Sequence, residues 1–515
     1  MLITILWAYL LVENAVSIEP DEVCNVVNSC SIVDKIRGEF NDILYEQRRE
    51  IASLERLVRS LDQITWKISS EDNKWLECTE GPCRCMPETK SLSCWNDNME
   101  TLPAKQVLPI DIHAIDLGMN RLKTLNKRVF ENLSHLTEID LFNNDIDYLP
   151  ASLFQNLGNL RYLRIHKNQL EELSQKMFTN LIRLESLDLS NNNLSFLPDT
   201  LFRDTFNLNI LHLSGNRIKN IPESLFHDLS KLEDLDLNQN DIVKLPKNAF
   251  RDLYSLRLLK LSENDITELP TGIFSSLRQL RSLNLRKNKL TTISNSLFDS
   301  LKQLEILDLT SNRIQSIDVS DFAGLDNLKE LWLDQNYLSE IPEDIFRNNV
   351  NLHTLMLQSN NLVELKEKAF YGLTNLSSLL INKNIIENIH PNVFTYVPNL
   401  QKLNIDSNQF QFLPPKSLDS LKRLVYIMLA KNPWHCDCNV LYLTRWIQAH
   451  NSKVWDTQPS CRGPGNLGGR YLKDMHFANL CDGQWASMTN LYPRLPIKDV
   501  VLIPVTTTEE STDQQ

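Results

Sequence analysis

The chain has 515 residues, a formal net charge of -12 and a pI near 5.4. That balance excludes a general affinity for nucleic acid, which needs a basic footprint. Only 13 residues are glycine, so glycine-rich phosphate loops are not expected.

Residues 2–12 are mostly apolar, and Ala15-Val16-Ser17 follows as a small-x-small cleavage pattern. The run is too short to span a bilayer, which takes about 20 apolar residues. It therefore reads as a secretory signal peptide over residues 1–17, cleaved near Ser17. No later stretch approaches a membrane span, and the C-terminal Thr-Thr-Glu-Glu-Ser-Thr-Asp-Gln-Gln carries no hydrophobic anchor signal. A secreted, extracellular protein is the expectation.

A short segment, residues 18–30, holds Cys24 and Cys30, which either pair locally or staple neighbouring chains. Residues 31–70 then follow a heptad. With Val33 at position a, the a positions are Val33, Phe40, Gln47, Leu54, Leu61 and Ile68; position d holds Ile36, Ile43, Glu50, Leu57 and Ile64. Nine of these eleven are apolar, and no proline interrupts, which predicts a long helix with a coiled-coil seam. Gln47 and Glu50 form a polar break, and the apolar e positions Leu44, Ile51 and Val58 widen the face. Such a face serves oligomerisation, with like or unlike chains, or docks on another part of the same chain.

From residue 106 to 432 the pattern L-x-x-L-x-L-x-x-N-x-L recurs every 24 residues without insertion or deletion. Its asparagines are Asn120, Asn144, Asn168, Asn192, Asn216, Asn240, Asn264, Asn288, Asn312, Asn336, Asn360, Asn384, Asn408 and Asn432. A phenylalanine falls ten residues after each of the first twelve, from Phe130 to Phe394, and Leu418 takes the next equivalent place. Fourteen in-phase repeats imply a solenoid, in which each repeat buries its apolar face on its neighbours. The L-x-L alternation is that of a strand, so each repeat gives one short strand to a parallel sheet. The asparagines are expected to satisfy backbone groups, and the phenylalanines to fill the far side.

The ten cysteines all lie outside the repeats, which suits disulfide-closed ends in an oxidising compartment. Cys78-x4-Cys83-x-Cys85-x8-Cys94 precedes them; Cys436-x-Cys438, Trp446, Cys461 and Cys481 follow. Together with the repeats, these spacings resemble extracellular leucine-rich-repeat proteins with cysteine-rich flanking modules, such as Slit, chondroadherin, the acid-labile subunit, the carboxypeptidase N non-catalytic subunit and Toll ectodomains. The resemblance runs from about Cys78 to Cys481 and leaves out the heptad segment. It implies a leucine-rich-repeat solenoid, an α/β horseshoe with a parallel concave sheet and a mostly irregular convex side, to which the heptad pattern adds an N-terminal helical segment. It also implies caps at residues 78–105 and 433–482; residues 483–515, beyond the last cysteine, read as a flexible tail. The pairings implied are Cys78 with Cys85, Cys83 with Cys94, Cys436 with Cys461 and Cys438 with Cys481. His435 reads as part of the lid rather than a zinc site.

Function is sought in the outward residues of the strands. Four residues before each asparagine, Trp332, Met356 and Leu380 share one column in three consecutive repeats, about 5 Å apart by ordinary strand spacing. Asp334, Gln358 and Asn382 rim them, and Tyr426 and Met428 add apolar surface further along. An exposed apolar patch with a polar rim has the anatomy of a protein-binding hot spot. The alternatives are coverage by a lid, a glycan or the chain's own helix. In the first half the same column is acidic, with Asp116, Asp140, Asp188 and Asp236 interrupted by Arg164, His166 and Lys167. It either steers a basic ligand or is a solvated face balanced by local ion pairs. His166 and His212 read as ordinary surface histidines. Asn132, Asn193 and Asn375 begin Asn-Leu-Ser sequons and are candidate glycosylation sites.

No G-x-S-x-G, H-E-x-x-H or G-x-x-x-x-G-K-[ST] motif occurs. An open sheet does not readily exclude water, so neither catalysis nor a cofactor is expected. The expected partner is an extracellular or cell-surface protein, in a setting of matrix, signalling or innate immunity that the resemblance alone supplies. The competing expectation is a non-catalytic carrier or stabilising subunit of an extracellular enzyme or hormone complex.

Overall fold

A computed structural model describes residues 29–69, 74–293, 296–455 and 457–482. The signal-peptide run, Cys24 and the tail from residue 483 lie outside the described residues. The chain divides into two compact units at Asp62/Gln63.

Among the described residues the first unit is an α-helix, Ser29–Leu61, of 33 residues. It is shorter than the heptad pattern, because Ile64 and Ile68 lie beyond its last turn. Those two positions belong to the second unit. Trp66, 4% exposed, buries its ring there and donates its indole N–H to the Val129 carbonyl at 2.8 Å. Lys67–Ser69 then pairs as a parallel strand with Val107–Pro109, which fixes Ile68 in an extended backbone. Burial of a tryptophan and a strand ladder outweigh continuation of a solvent-facing helix. Packing against the start of the solenoid therefore begins at Trp66, before Cys78.

The second unit is a parallel β-solenoid of fourteen coils. Each coil gives a three-residue strand, such as Asp234–Asp236, to one sixteen-stranded sheet, and neighbouring strands pair in unshifted register. In each strand the central residue is buried and its neighbours face outward.

The asparagine ladder explains the spacing. Asn240 donates to the carbonyls of Leu237 and Asn238 in its own coil and Leu213 in the preceding one, at 3.0–3.2 Å. Its Oδ1 accepts the Ile218 amide at 3.1 Å. One side chain thus satisfies buried backbone groups of two coils, which would otherwise cost about 1–3 kcal/mol each. The residue before each asparagine has positive φ, from Met119 (57°) to Lys431 (53°), yet Gly215 is the sole glycine among the fourteen. The ladder holds a left-handed turn that most of these residues disfavour by about 1–2 kcal/mol.

On the opposite side Phe178, Phe202, Phe226, Phe250, Phe274 and Phe298 stack in succession with ring centroids 6.1–6.5 Å apart. All six are buried; truncating one such ring to alanine costs about 3–5 kcal/mol.

Both ends of the repeat array are covered. An antiparallel pair, Arg84–Met86 with Ser91–Ser93, covers the first repeat strand. Val454 bridges the last strand at Ile427, and the Trp455 amide donates to the Ile427 carbonyl. Covered edges remove a template for strand addition. Four disulfides close the caps: Cys78–Cys85, Cys83–Cys94, Cys436–Cys461 and Cys438–Cys481.

Candidate protein-binding face

Outward strand residues form columns because neighbouring strands pair without shift. Trp332 aligns with Met356, Met356 with Leu380, Leu380 with Asn404 and Asn404 with Met428. The structure therefore brings the three apolar residues side by side. They are half-buried rather than open, each flanked by its neighbours in the column.

The rim is a correction. Gln358 and Asn382 are half-buried at the border, but Asp334 is buried at 6% exposure and accepts the Thr310 hydroxyl at 2.9 Å. Burial pushes its carboxyl above the ordinary aspartate value. It is part of the floor of the patch. Beside it, Trp332 Nε1 and Gln358 Oε1 are buried atoms with no hydrogen-bond partner in the chain. Leaving such atoms unpaired costs about 1–3 kcal/mol each.

The acidic column has a structural use that its composition does not reveal. Asp116, Asp140, Asp188, Asp236, Asn284, Asp308 and Asn404 each accept the amide two residues ahead, at 2.9–3.1 Å. These are Asx turns that end the strand. Trp332, Met356 and Leu380 are three consecutive positions where a side chain able to make that bond is replaced by an apolar one.

The first half also neutralises itself. Arg164 bridges Glu138 and Asp140. Asp188 lies 3.4 Å from His166 and 4.0 Å from His212, whose Nε2 is 3.6 Å from Asp234. Lys260 sits 3.3 Å from Asp234 and 3.5 Å from Asp236. Asp188, followed by Asp234, pushes His212 up to about 9. Burial opposes charge on Asp188, yet His212, Ser190 and His166 outweigh it and hold its carboxyl at about 2. His212 is thus a member of an ion-pair chain, and the neighbouring His166 ring stacks on Phe142 at 5.0 Å.

Tyr426 begins the last repeat strand, with Met428 at its end. Trp455 of the C-terminal cap, 60% exposed, packs its ring 5.7 Å from Tyr426. Lys402 lies over the other side of this group, 5.8 Å from the Tyr426 centroid. Sequence reasoning missed Trp455, because only the cap's backbone path brings it beside the last strand. It also overlooked the first outward column (Glu138, Tyr162, Asp234, Glu330), which the same two-residue alternation would have indexed. Asn132 and Asn375 are exposed and Asn193 is half-buried. Among the described residues no helix is long and apolar enough to cross a membrane, and no group of three or more His, Cys, Asp or Glu side chains is placed to hold a metal.

Comparison with known proteins agrees with this architecture. Residues 111–170, 158–205, 206–266 and 255–314 match the leucine rich repeat family, and residues 291–420 match the BspA type leucine rich repeat region. Carboxypeptidase N subunit 2 of Mus musculus is 37% identical over 49 residues, 10% of this chain and 9% of that protein. Chondroadherin-like protein of Mus musculus is 30% identical over 83 residues, 16% of this chain and 11% of that protein. The matched segments thus span about a tenth of those relatives. Among solved structures, the Toll-like receptor TLR13 in complex with ssRNA13 superposes with a TM-score of 0.62 at 26% identity, covering 72% of this chain and 54% of that one. A Leptospira interrogans LRR protein superposes at 0.60 with 26% identity, covering 76% of this chain and 100% of that one. Repeats, ladder, caps and matches together make the chain a member of the leucine-rich-repeat family.

Proposed function

We propose that this chain is a secreted protein-binding protein of the recognition, adhesion or signalling-modulating kind. Its sheet face engages an extracellular protein through Trp332, Met356 and Leu380, with Gln358, Asn382, Tyr426 and Met428 around them and Asp334 beneath. The N-terminal helix multimerises it, which raises avidity without new contacts. One observation carries the reading: three adjacent repeats give up the Asx-turn bond for a half-buried apolar row, next to buried indole and amide atoms that lack a partner. Asn132, Asn193 and Asn375 are proposed as glycosylation sites.

The test is capture of partners from the native extracellular fluid by the purified chain, compared with Trp332→Ala/Met356→Ala. The double variant should lose at least about a hundredfold in affinity, while its thermal midpoint moves by no more than about 2–4 °C. Retained capture would remove the assignment; a large loss of stability would mean that the two side chains serve the fold.

A second reading has one supporting observation, the short likeness to carboxypeptidase N subunit 2. In it the chain is a non-catalytic carrier or stabilising subunit, and the helix pairs with an unlike chain. A monomer by light scattering that takes up a single unlike partner would favour this reading.

A further inference from the structure

The helix Ser29–Leu61 presents Ile43, Ile51, Leu54, Leu57, Val58 and Leu61 to solvent, each between 37% and 58% exposed except Leu54 at 61%. These residues occupy heptad positions a, d and e. The polar pair Gln47 and Glu50, both exposed, interrupts the row near its middle. We propose that this face binds a second copy of itself in antiparallel orientation, related by a two-fold axis that passes between Gln47 and Glu50. The proposal deepens the multimerisation part of the proposed function and is independent of the sheet face.

Three features of the sequence pattern select that geometry. In an antiparallel pair an a residue faces a d residue of the other copy, and one register aligns the whole row. Phe40 then faces Leu57, Ile43 faces Leu54 and Gln47 faces Glu50. The polar pair is thereby consumed in two identical Gln–Glu contacts, in which an amide donates to a carboxylate. A parallel pair would instead set Glu50 against Glu50 inside the seam, where like charges repel.

The flanks agree. Antiparallel helices bring e against e and g against g, so apolar Leu44 meets Ile51 of the other copy, while Glu46 meets Ser53. Parallel helices would lay Ile51 against Glu46, covering apolar surface with a carboxylate. Finally, the register is self-complementary, as an isologous two-fold contact requires. The overlap runs from residue 40 to residue 57, about 27 Å of helix at 1.5 Å per residue.

Cysteine mapping on the full chain tests orientation. Ile43→Cys and Leu54→Cys variants, mixed and gently oxidised, should give a 43–54 disulfide between chains in peptide mass mapping, whereas Leu54→Cys alone should give no 54–54 link. Light scattering of the unmodified chain should report twice the chain mass. Gln47→Lys places an ammonium against Glu50 of the other copy and should tighten the dimer about fivefold; in a parallel pair it would set lysine against lysine and weaken it. A 54–54 link, or weakening by Gln47→Lys, overturns the antiparallel geometry and leaves multimerisation standing. A three- or four-fold mass overturns the two-fold pairing. A monomer, including one that covers the helix with its own solenoid, overturns both multimerisation and this proposal, while partner capture by the sheet face remains a separate result.

Discussion

The two halves of the sheet face share one backbone and differ in how their outward side chains are satisfied. From Asp116 to Asp236 the column ends its strands with Asx turns, and Arg164, His212 and Lys260 are the counterions at the positions without them. From Trp332 to Leu380 the same positions hold apolar side chains, and polar atoms beside them lack partners. Buried atoms without a hydrogen bond occur in both halves, but His166 Nδ1, His212 Nε2 and Asp234 Oδ1 each lie 3.3–3.6 Å from an ionisable neighbour. Trp332 Nε1 and Gln358 Oε1 sit on uncharged side chains outside that ion-pair chain, so they have more to regain from a ligand.

The largest contrast expected sets the Trp332→Ala/Met356→Ala pair against its counterpart in the charged half, Arg164→Ala/His166→Ala. The first should abolish capture, and the second should leave the dissociation constant within about twofold, both read by titration with the captured partner. Equal losses from both would erase the distinction between the halves.

Stability should show the reverse. His212→Leu removes the cation between Asp188 and Asp234 and should destabilise the solenoid by roughly 2–3 kcal/mol in denaturant melts, with capture unchanged. The pH dependence follows from the two shifts. His212 is raised from 6.5 to about 9, so its contribution is complete below pH 6.5 and fades as pH climbs through 9. Asp188 is lowered from 3.8 to about 2, so its contribution is complete above pH 3.8 and fades as pH falls through 2. The difference between the parent chain and the variant should be widest between pH 3.8 and 6.5 and should shrink toward pH 9. A gap that does not vary with pH would argue that the histidine acts by packing alone.

Smaller effects sharpen the comparison. Gln358→Met removes an unpartnered buried acceptor, so stability should hold or rise by up to about 1 kcal/mol, while capture weakens about tenfold. Smallest of all, Asn404→Leu would join Leu380 and Met428 into one apolar column at the loss of the bond from the Asp406 amide. A stability cost of about 1 kcal/mol with capture retained is expected, from melts and binding run on the same sample.

The fold was legible because its two strongest signals, the asparagines and the phenylalanines, repeat every 24 residues and each has one structural use. The site was legible only where a residue broke its column's habit, as Trp332 did. Asp116 and its equivalents were ambiguous, since a carboxylate that steers a ligand and one that ends a strand are the same letter; the amide two residues ahead decides between them. Ile64 and Ile68 continued the heptad on paper because a period of seven and the alternation of a short strand can coincide over a few residues. Trp66, whose burial ends the helix, carries no periodic mark. Trp455 reaches the sheet face through a cap whose path depends on disulfides far apart in the chain.

The reach of each asparagine into the preceding coil has a consequence for the molecule's length. A coil can be lost or gained whole, because without the coil of Asn240 the side chain of Asn264 would meet the Ile218 amide and Leu213 carbonyl that Asn240 now engages. A fraction of a coil cannot, since it would turn buried leucines outward and leave two sets of backbone groups unpaired. Length in this protein therefore comes in quanta. Each would move the charged and apolar halves of the face apart or together by one strand spacing, about 4.8 Å, so recombination can space two binding surfaces without redesigning either.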